Sequence, residues 1–337
     1  MAANPELEAR ILSDRADRGA YLVYADWLAE RGDPRGELVV LQTRLEGARG
    51  DAELRARELG LLAEHRRTWL GSLAACDEDE LACTWHRGFV TALRIGPDPE
   101  VARTTRLDLA AVVAELARLP HTCFVRELVL GGLPHTASWT GVLDAIARYG
   151  LPLGLARLEL HHGRCDAELA QTELADLAVA NARLAQLREL RLALATVELD
   201  GVELPGLRVL ELATAALTGA HVAALRATRW PALERLSVRH AERFATVAAL
   251  FEAHGMPRLL HFAYDGTLSD ELAARLPGTP LLAQLRTLAL SPTEAGARAL
   301  LAQGDAYAHL TQIDLSRGRL SAVTRARLAA ELWPRVT

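Results

Sequence analysis

Lysine is missing from all 337 positions, so every one of the 38 basic residues is arginine. A P-loop grips phosphate through a lysine, and a pyridoxal enzyme condenses its cofactor onto one, so both chemistries are excluded. Aromatic residues make up only 5% of the chain, which leaves Leu, Ala and Val to fill a core. Cysteine is sparse: Cys76, Cys83, Cys123 and Cys165 contain no C-x-x-C pair and are too few for a disulfide framework. Reduced thiols in or near a core are expected, and with them a cytoplasmic location. No stretch of 18 apolar residues is available for a transmembrane helix. The opening MAANPELEAR is polar and acidic and lacks the apolar centre of a secretory signal. A net charge of −5 and a pI near 6.1 leave no broadly basic surface for nucleic acid.

What is present is an ordinary globular composition, 50% hydrophobic and 24% charged, in a chain long enough for about two domains or one elongated one. The first 75 residues have helical periodicity. Leu7, Ile11 and Leu12 form one apolar stripe after Pro5, which suits a first turn. A second helix is expected over Ala20–Arg31, with Leu22, Ala25, Leu28 and Ala29 on one face. Gly32-Asp33-Pro34-Arg35-Gly36 breaks it. A third starts at Glu37, and a fourth runs from about Asp51 to Trp69. Within the second helix Tyr24, Asp26 and Trp27 look like a site, but a packed corner with Asp26 bonded to the following turn explains them as well.

The segment Tyr21–Gln42, YLVYADWLAERGDPRGELVVLQ, resembles the bacterial repeat-companion domain, through its YADWL core, its ERGDPRGE turn and its trailing LQ. HRRTWLGSL (His65–Leu73) and TWHRGFV (Thr84–Val90) resemble the junction that follows this module. The resemblance implies no catalytic residue. It implies leucine-rich or similar repeats downstream.

The template L-x-x-L-x-L then recurs nine times, beginning at Val90, Val125, Leu155, Leu187, Leu207, Leu233, Leu259, Leu285 and Leu310. Start-to-start spacings are 35, 30, 32, 20, 26, 26, 26 and 25 residues. Leucine-rich repeats run about 20–29 residues, so the later units fit and the earlier ones carry insertions. Helical segments are expected between strands at Leu107–Leu119, Ser138–Tyr149, Ala167–Ala185, Gly219–Ala227, Phe244–His254 and Thr293–Ala302. The short interval between Leu187 and Leu207 has no room for a long one. The place after the strand that usually holds Asn or Cys is filled by residues such as Leu133, Gly163 and Ala195, so the stack is degenerate. The expected fold is α/β: a leucine-rich-repeat solenoid over residues 86–337, with a curved parallel sheet on the concave side and helices on the convex side. Residues 1–75 form an all-helical cap, and 76–85 an acidic junction. One strand plus one helix cannot bury its apolar face alone, so stability comes from stacking neighbours. The last helix, Ala322–Trp333, is expected to cover the far end.

Catalytic patterns are absent: there is no HExxH, GxSxG or GxxxxGK[ST]. His161, His162 and Cys165 would supply only part of a zinc site, no fourth ligand is evident, and they are read as a strand-end turn. Asp77-Glu78-Asp79-Glu80 lacks the spacing of a calcium loop and is read as a solvated junction. No metal or cofactor is expected. Strand alternation points the leucines inward and the residues between them outward. This places Arg157, Glu159, His161, Glu189, Arg191, Glu211, Arg235 and Arg239 on the concave face. Two readings fit: salt bridging on a wet surface, or a polar site for a protein partner, where the planar fork of arginine is favoured.

The expected function is therefore non-catalytic protein–protein interaction, as a scaffold, adaptor or regulatory subunit, with no nucleic acid or membrane among its partners. An alternative is a substrate or regulatory partner of a bacterial signalling or defence enzyme such as a protease. A third is an enzyme with its site where the helical module meets the repeats, which needs clustered, perturbed acids or histidines near Trp69, Trp85 and His86.

Overall fold

The computed structural model describes residues 3–332, apart from positions 49, 100, 102, 120, 224 and 226 and the stretches 135–136, 163–174, 195–196, 215–222 and 241–254. Four helices lead the chain: α1 (Pro5–Ser13), α2 (Arg18–Ala29), α3 (Arg35–Leu45) and α4 (Ala52–Leu70). Three of them start on a side-chain cap that satisfies otherwise orphaned backbone donors. Asn4 accepts from Glu6 N and Leu7 N at 3.2 Å, Asp17 from Ala20 N at 3.1 Å, and Asp51 from Leu54 N at 3.0 Å. The start of α3 is organised by Asp33, whose Oδ1 accepts from the backbone N and Nε of Arg35 at 3.1 and 2.9 Å. Burial alone would raise the Asp33 pKa, but its bonds and ion pair with Arg35 outweigh this and lower it. Asp26 is exposed. The turn after α2 is thus held by Asp33, not by Asp26 as the sequence suggested.

Twelve strands follow among the described residues: β1 (Leu81–His86), β2 (Phe89–Ile95), β3 (Glu127–Leu133), β4 (Arg157–His162), β5 (Ala175–Asp176), β6 (Glu189–Ala193), β7 (Val197–Glu198), β8 (Val209–Thr214), β9 (Arg235–His240), β10 (His261–Asp265), β11 (Thr287–Leu290) and β12 (Gln312–Asp314). Ten of them make one sheet in the order β1-β2-β3-β4-β6-β8-β9-β10-β11-β12, while β5 and β7 pair as a separate ribbon. Every pairing in the large sheet is parallel except β1 with β2. The nine L-x-x-L-x-L segments coincide with the nine strands from β2 to β12 in that sheet.

Parallel neighbours need a crossover connection, and several are helical. The helices α5 (Leu109–Leu116) and α6 (Thr140–Tyr149) serve the early strands, and Ser269–Arg275, Pro280–Gln284 and Glu294–Ala302 the later ones. The short β6–β8 interval holds β7 and turns, as its length requires. The expected helices Gly219–Ala227 and Phe244–His254 lie largely outside the described residues, as do the first part of Ala167–Ala185, Gly163, Cys165, Ala195 and Trp333. In the described end of Ala167–Ala185, a 3-10 turn (Leu177–Ala180) precedes a short helix (Asn181–Leu184).

One face of the sheet carries the core. Leu128, Leu158, Leu190, Leu210 and Leu236 stand side by side across successive strands and are all at most 1% exposed. Helical residues such as Val113, Ile146, Leu272 and Leu300 belong to the same continuous apolar cluster.

The acidic stretch 76–85 does more than join two parts. Asp77–Glu80 forms a turn, Asp79 pairs with Arg103 at 2.8 Å, and Glu80 accepts the Thr105 hydroxyl at 2.7 Å. The chain then enters β1, which adds an antiparallel strand to the sheet. The β1–β2 loop is Arg87-Gly88, at φ 45° and 82°. Two successive left-handed residues are the type I′ turn whose twist suits a tight hairpin.

Candidate functional site

The leucine register dictates what happens on the opposite, open face. Because Leu158, Leu190 and Leu210 align, the residues between them align too, in rows running across the strands. One row is Glu127, Arg157, Glu189, Val209, Arg235, His261 and Thr287. The next is Val129, Glu159, Arg191, Glu211, Ser237, Ala263, Ala289 and Asp314. Charge alternates in sign along the first half of each row.

Ion pairs follow that alternation. Arg157 reaches Glu127 and Glu159 at 3.4 Å each and Glu189 at 3.7 Å. Arg191 reaches Glu211 at 3.5 Å and Glu189 at 3.8 Å. The result is one connected network over β3, β4, β6 and β8. Its side chains keep between 17% and 53% of their surface exposed, so each pair contributes only about 0–1 kcal/mol to stability. Such a network is a poor stabiliser, yet it fixes the direction of six charged groups on an open surface.

Towards β12 the second row shrinks to Ser237, Ala263 and Ala289. The face is hollow there, with a depression of about 410 Å³ bordered by Arg191, Glu211, Arg235, Arg239, Asp265 and Arg317. Asp265 is held by Arg317 at 3.1 Å. By register all eight residues singled out from sequence belong to this face, His161 in the row of Gly131, Ala193, Ala213 and Arg239. His161 differs from the others in being only 2% exposed. Gly131 on β3 explains its position: a Cβ there would lie 1.8 Å from His161 Nε2, so the imidazole occupies the space that glycine leaves. His161 Nδ1 lies 3.0 Å from the carbonyl of His162, and burial lowers the pKa of the ring. His161 thus packs over Gly131 within the face and offers a partner almost no surface. Its proposed zinc companion His162 is also buried, and Trp139 Nε1 donates to its Nε2 at 3.0 Å. Among the described residues no group of three or more His, Cys, Asp or Glu side chains is placed to hold a metal.

A second polar cluster, which the sequence does not announce, sits where α1 and α2 meet the sheet. Tyr24 donates to Glu8 Oε1 at 2.6 Å, His121 Nδ1 lies 3.0 Å from the same oxygen, and the Cys123 thiol donates to Glu8 Oε2 at 3.9 Å. The bond with His121 is the largest cause that holds the Glu8 carboxyl below its usual range. Burial drives Cys123 up to about 12, so it stays a thiol, and the thiolate is the reactive form. Cys83 is likewise pushed up to about 11 by burial. The adjoining cavity, lined by Trp69, Trp85, Phe89, Leu93, Val125 and His121, measures about 40 Å³. That admits a water or two, against roughly 300 Å³ for the smallest ordinary ligand pockets. The cluster fits a polar bolt between helices and sheet. Its four residues are separated by up to 115 positions, so no local pattern could reveal it.

The fold and the open charged face define an α/β protein built by adding similar strand units in one direction. The chain matches no protein-family model and no curated protein sequence. Among solved structures it is similar to a crystal structure of a protein from Bacteroides fragilis, with a TM-score of 0.59 and 16% identity, over 85% of this chain and 82% of that one. At that identity the likeness concerns the fold alone. Among the described residues no helix is long and apolar enough to cross a membrane.

Proposed function

We propose that this chain is a non-catalytic protein–protein interaction module of bacterial leucine-rich-repeat type, working in the cytoplasm as a scaffold, adaptor or regulatory subunit. Its four leading helices act as the cap of the stack, in the manner of a repeat-companion domain. In support of a cap, Ile11, Tyr21, Tyr24, Leu28 and Val39 from the helices share one cluster with Phe89 and Phe124 beside the first parallel strands. Arg15 reinforces the joint by donating to the Phe124 carbonyl at 2.9 Å.

The observation that carries the binding role is the ion-pair network of Arg157, Glu159, Glu189, Arg191 and Glu211. It presents both signs of charge at fixed positions on an open sheet face, and arginine is enriched among the residues that dominate protein interfaces. The test uses the whole chain as bait. Arg157→Glu with Arg191→Glu turns the network into like charges without touching the leucine core. Arg298→Glu, an exposed position on the helix Glu294–Ala302, is the control. Proteins retained by the unaltered chain and by the Arg298 variant, but lost by the double variant at equal thermal stability, support the reading. A retained set that is unchanged by the double variant, or lost only with Arg298→Glu, overturns it.

A further inference from the structure

The network accounts for the charges on β3, β4, β6 and β8, but not for those on β9. Arg235 and Arg239 are both exposed, and neither has an ion pair or side-chain hydrogen bond among the described residues. The carboxylates around them are already engaged: Glu211 by Arg191 at 3.5 Å, Asp265 by Arg317 at 3.1 Å, and Glu234 by Arg208 at 3.8 Å. Asp314, across the hollow, accepts from Ser316 N at 2.8 Å. Arg157, Arg191 and Arg317 are matched to carboxylates and Arg94 to the carbonyls of Asp79 and Gly96, whereas among the described residues the guanidinium groups of Arg235 and Arg239 are unmatched.

Their placement is specific. Both stand on one strand, four residues apart, with Ser237 between them, so their side chains leave the same face. At about 3.3 Å of rise per residue their Cα atoms are separated by roughly 13 Å. Both border the hollow floored by Ser237, Ala263 and Ala289. An extended peptide laid along β9 has the same rise, so its residues i and i+4 also project on one side and roughly 13 Å apart. Each guanidinium offers a planar fork that takes a carboxylate in two parallel hydrogen bonds.

We propose that the hollow is the docking slot for an acidic, extended segment of the partner, with Asp or Glu side chains at positions i and i+4 seated on Arg235 and Arg239. This rests on the open face being the binding surface, and it names the chemistry of what binds there.

The probe is a fluorescently labelled seven-residue peptide of Gly, Ser and Ala with glutamates four positions apart, measured by anisotropy against the full chain at low salt. Companion peptides carry adjacent glutamates, glutamines in place of glutamates, or phosphoserines in place of glutamates. Binding of the spaced-glutamate peptide is expected to exceed that of the adjacent and glutamine peptides. Arg235→Gln or Arg239→Gln should each weaken it by about tenfold or more, the loss of one charge-assisted pair. Arg208→Gln should leave it unchanged. No binding of the spaced peptide by about 1 mM, equal binding of all peptides, indifference to both β9 variants, or binding of the phosphoserine peptide alone overturns the proposal. These failures are separable from failure of the functional reading. If capture of cellular partners still depends on Arg157 and Arg191, the face binds a partner of other chemistry. If that dependence is also missing, the face itself is the wrong surface.

Discussion

Arg87 grips both carboxylate oxygens of Glu46, with Nε at 2.7 Å and Nη2 at 3.0 Å. The pair ties the end of α3 to the tip of the β1–β2 hairpin. Arg87 is itself in the left-handed region, at φ 45°, and its guanidinium also lies 5.0 Å from the Tyr21 ring centre. A residue in an uncommon backbone conformation is thus held by an acid and an aromatic ring from two different helices.

Removing either partner of this pair should destabilise the chain by about 1–2 kcal/mol, the middle of the range for a charge-assisted bond with one half-exposed partner. Glu46→Ala and Arg87→Ala combined should cost less than the sum of the two, because the shared pair is lost only once, while the contact of Arg87 with Tyr21 is lost only with Arg87. Thermal unfolding of the three variants checks this. Strictly additive losses would show that the two residues act separately.

Gly131→Ala should be more damaging than an exposed glycine substitution, because the new methyl would overlap His161 in a site with no free volume. Overpacking of this kind costs about 1–3 kcal/mol. Adding His161→Ala to Gly131→Ala should restore part of that loss by vacating the space. Urea unfolding of both variants decides the matter: an equally unstable double variant would mean that the imbalance lies in the β3 backbone and not in the imidazole.

The Glu8 cluster predicts a pH dependence of known sign. Folding lowers the Glu8 pKa from its ordinary 4.5, chiefly through the bond with His121. Its stabilisation is therefore complete above the ordinary value and lost as the pH falls through the lower, folded value. Glu8→Gln should lower the melting temperature at neutral pH, and the gap from the unaltered chain should narrow as the pH drops from about 6 to about 3. A gap that stays constant over this window would show that the carboxylate charge plays no part in the bolt.

How much of this was legible in the sequence depends on how far apart the partners lie. The leucine template marked every parallel strand of the large sheet, since each short unit carries its own period. Knowing the register was enough to place Arg157, Glu159, Glu189, Arg191, Glu211, Arg235 and Arg239 on one face. The strand Leu81–His86 was missed because four consecutive acids precede it, and its own alternation of Leu81, Cys83 and Trp85 is only three residues long. The burial of His161 was not legible because it depends on a glycine 30 positions earlier that becomes a neighbour only through pairing. The hollow was also invisible: Ser237, Ala263 and Ala289 are unremarkable separately and matter only once they stand in a row.

The direction of β1 has one more consequence. Each strand from β2 to β12 in the large sheet offers the next the same parallel edge, which is the geometry of a structure that grows without limit. Molecules stacked end to end in that register would form a fibre, because a head-to-tail contact that does not close on itself propagates. A single strand of opposite polarity at one end interrupts the sequence of identical edges. In molecules stacked in the same orientation, β12 of one would meet β1 of the next antiparallel rather than parallel, so β1 breaks the uniform register in which such a stack would propagate.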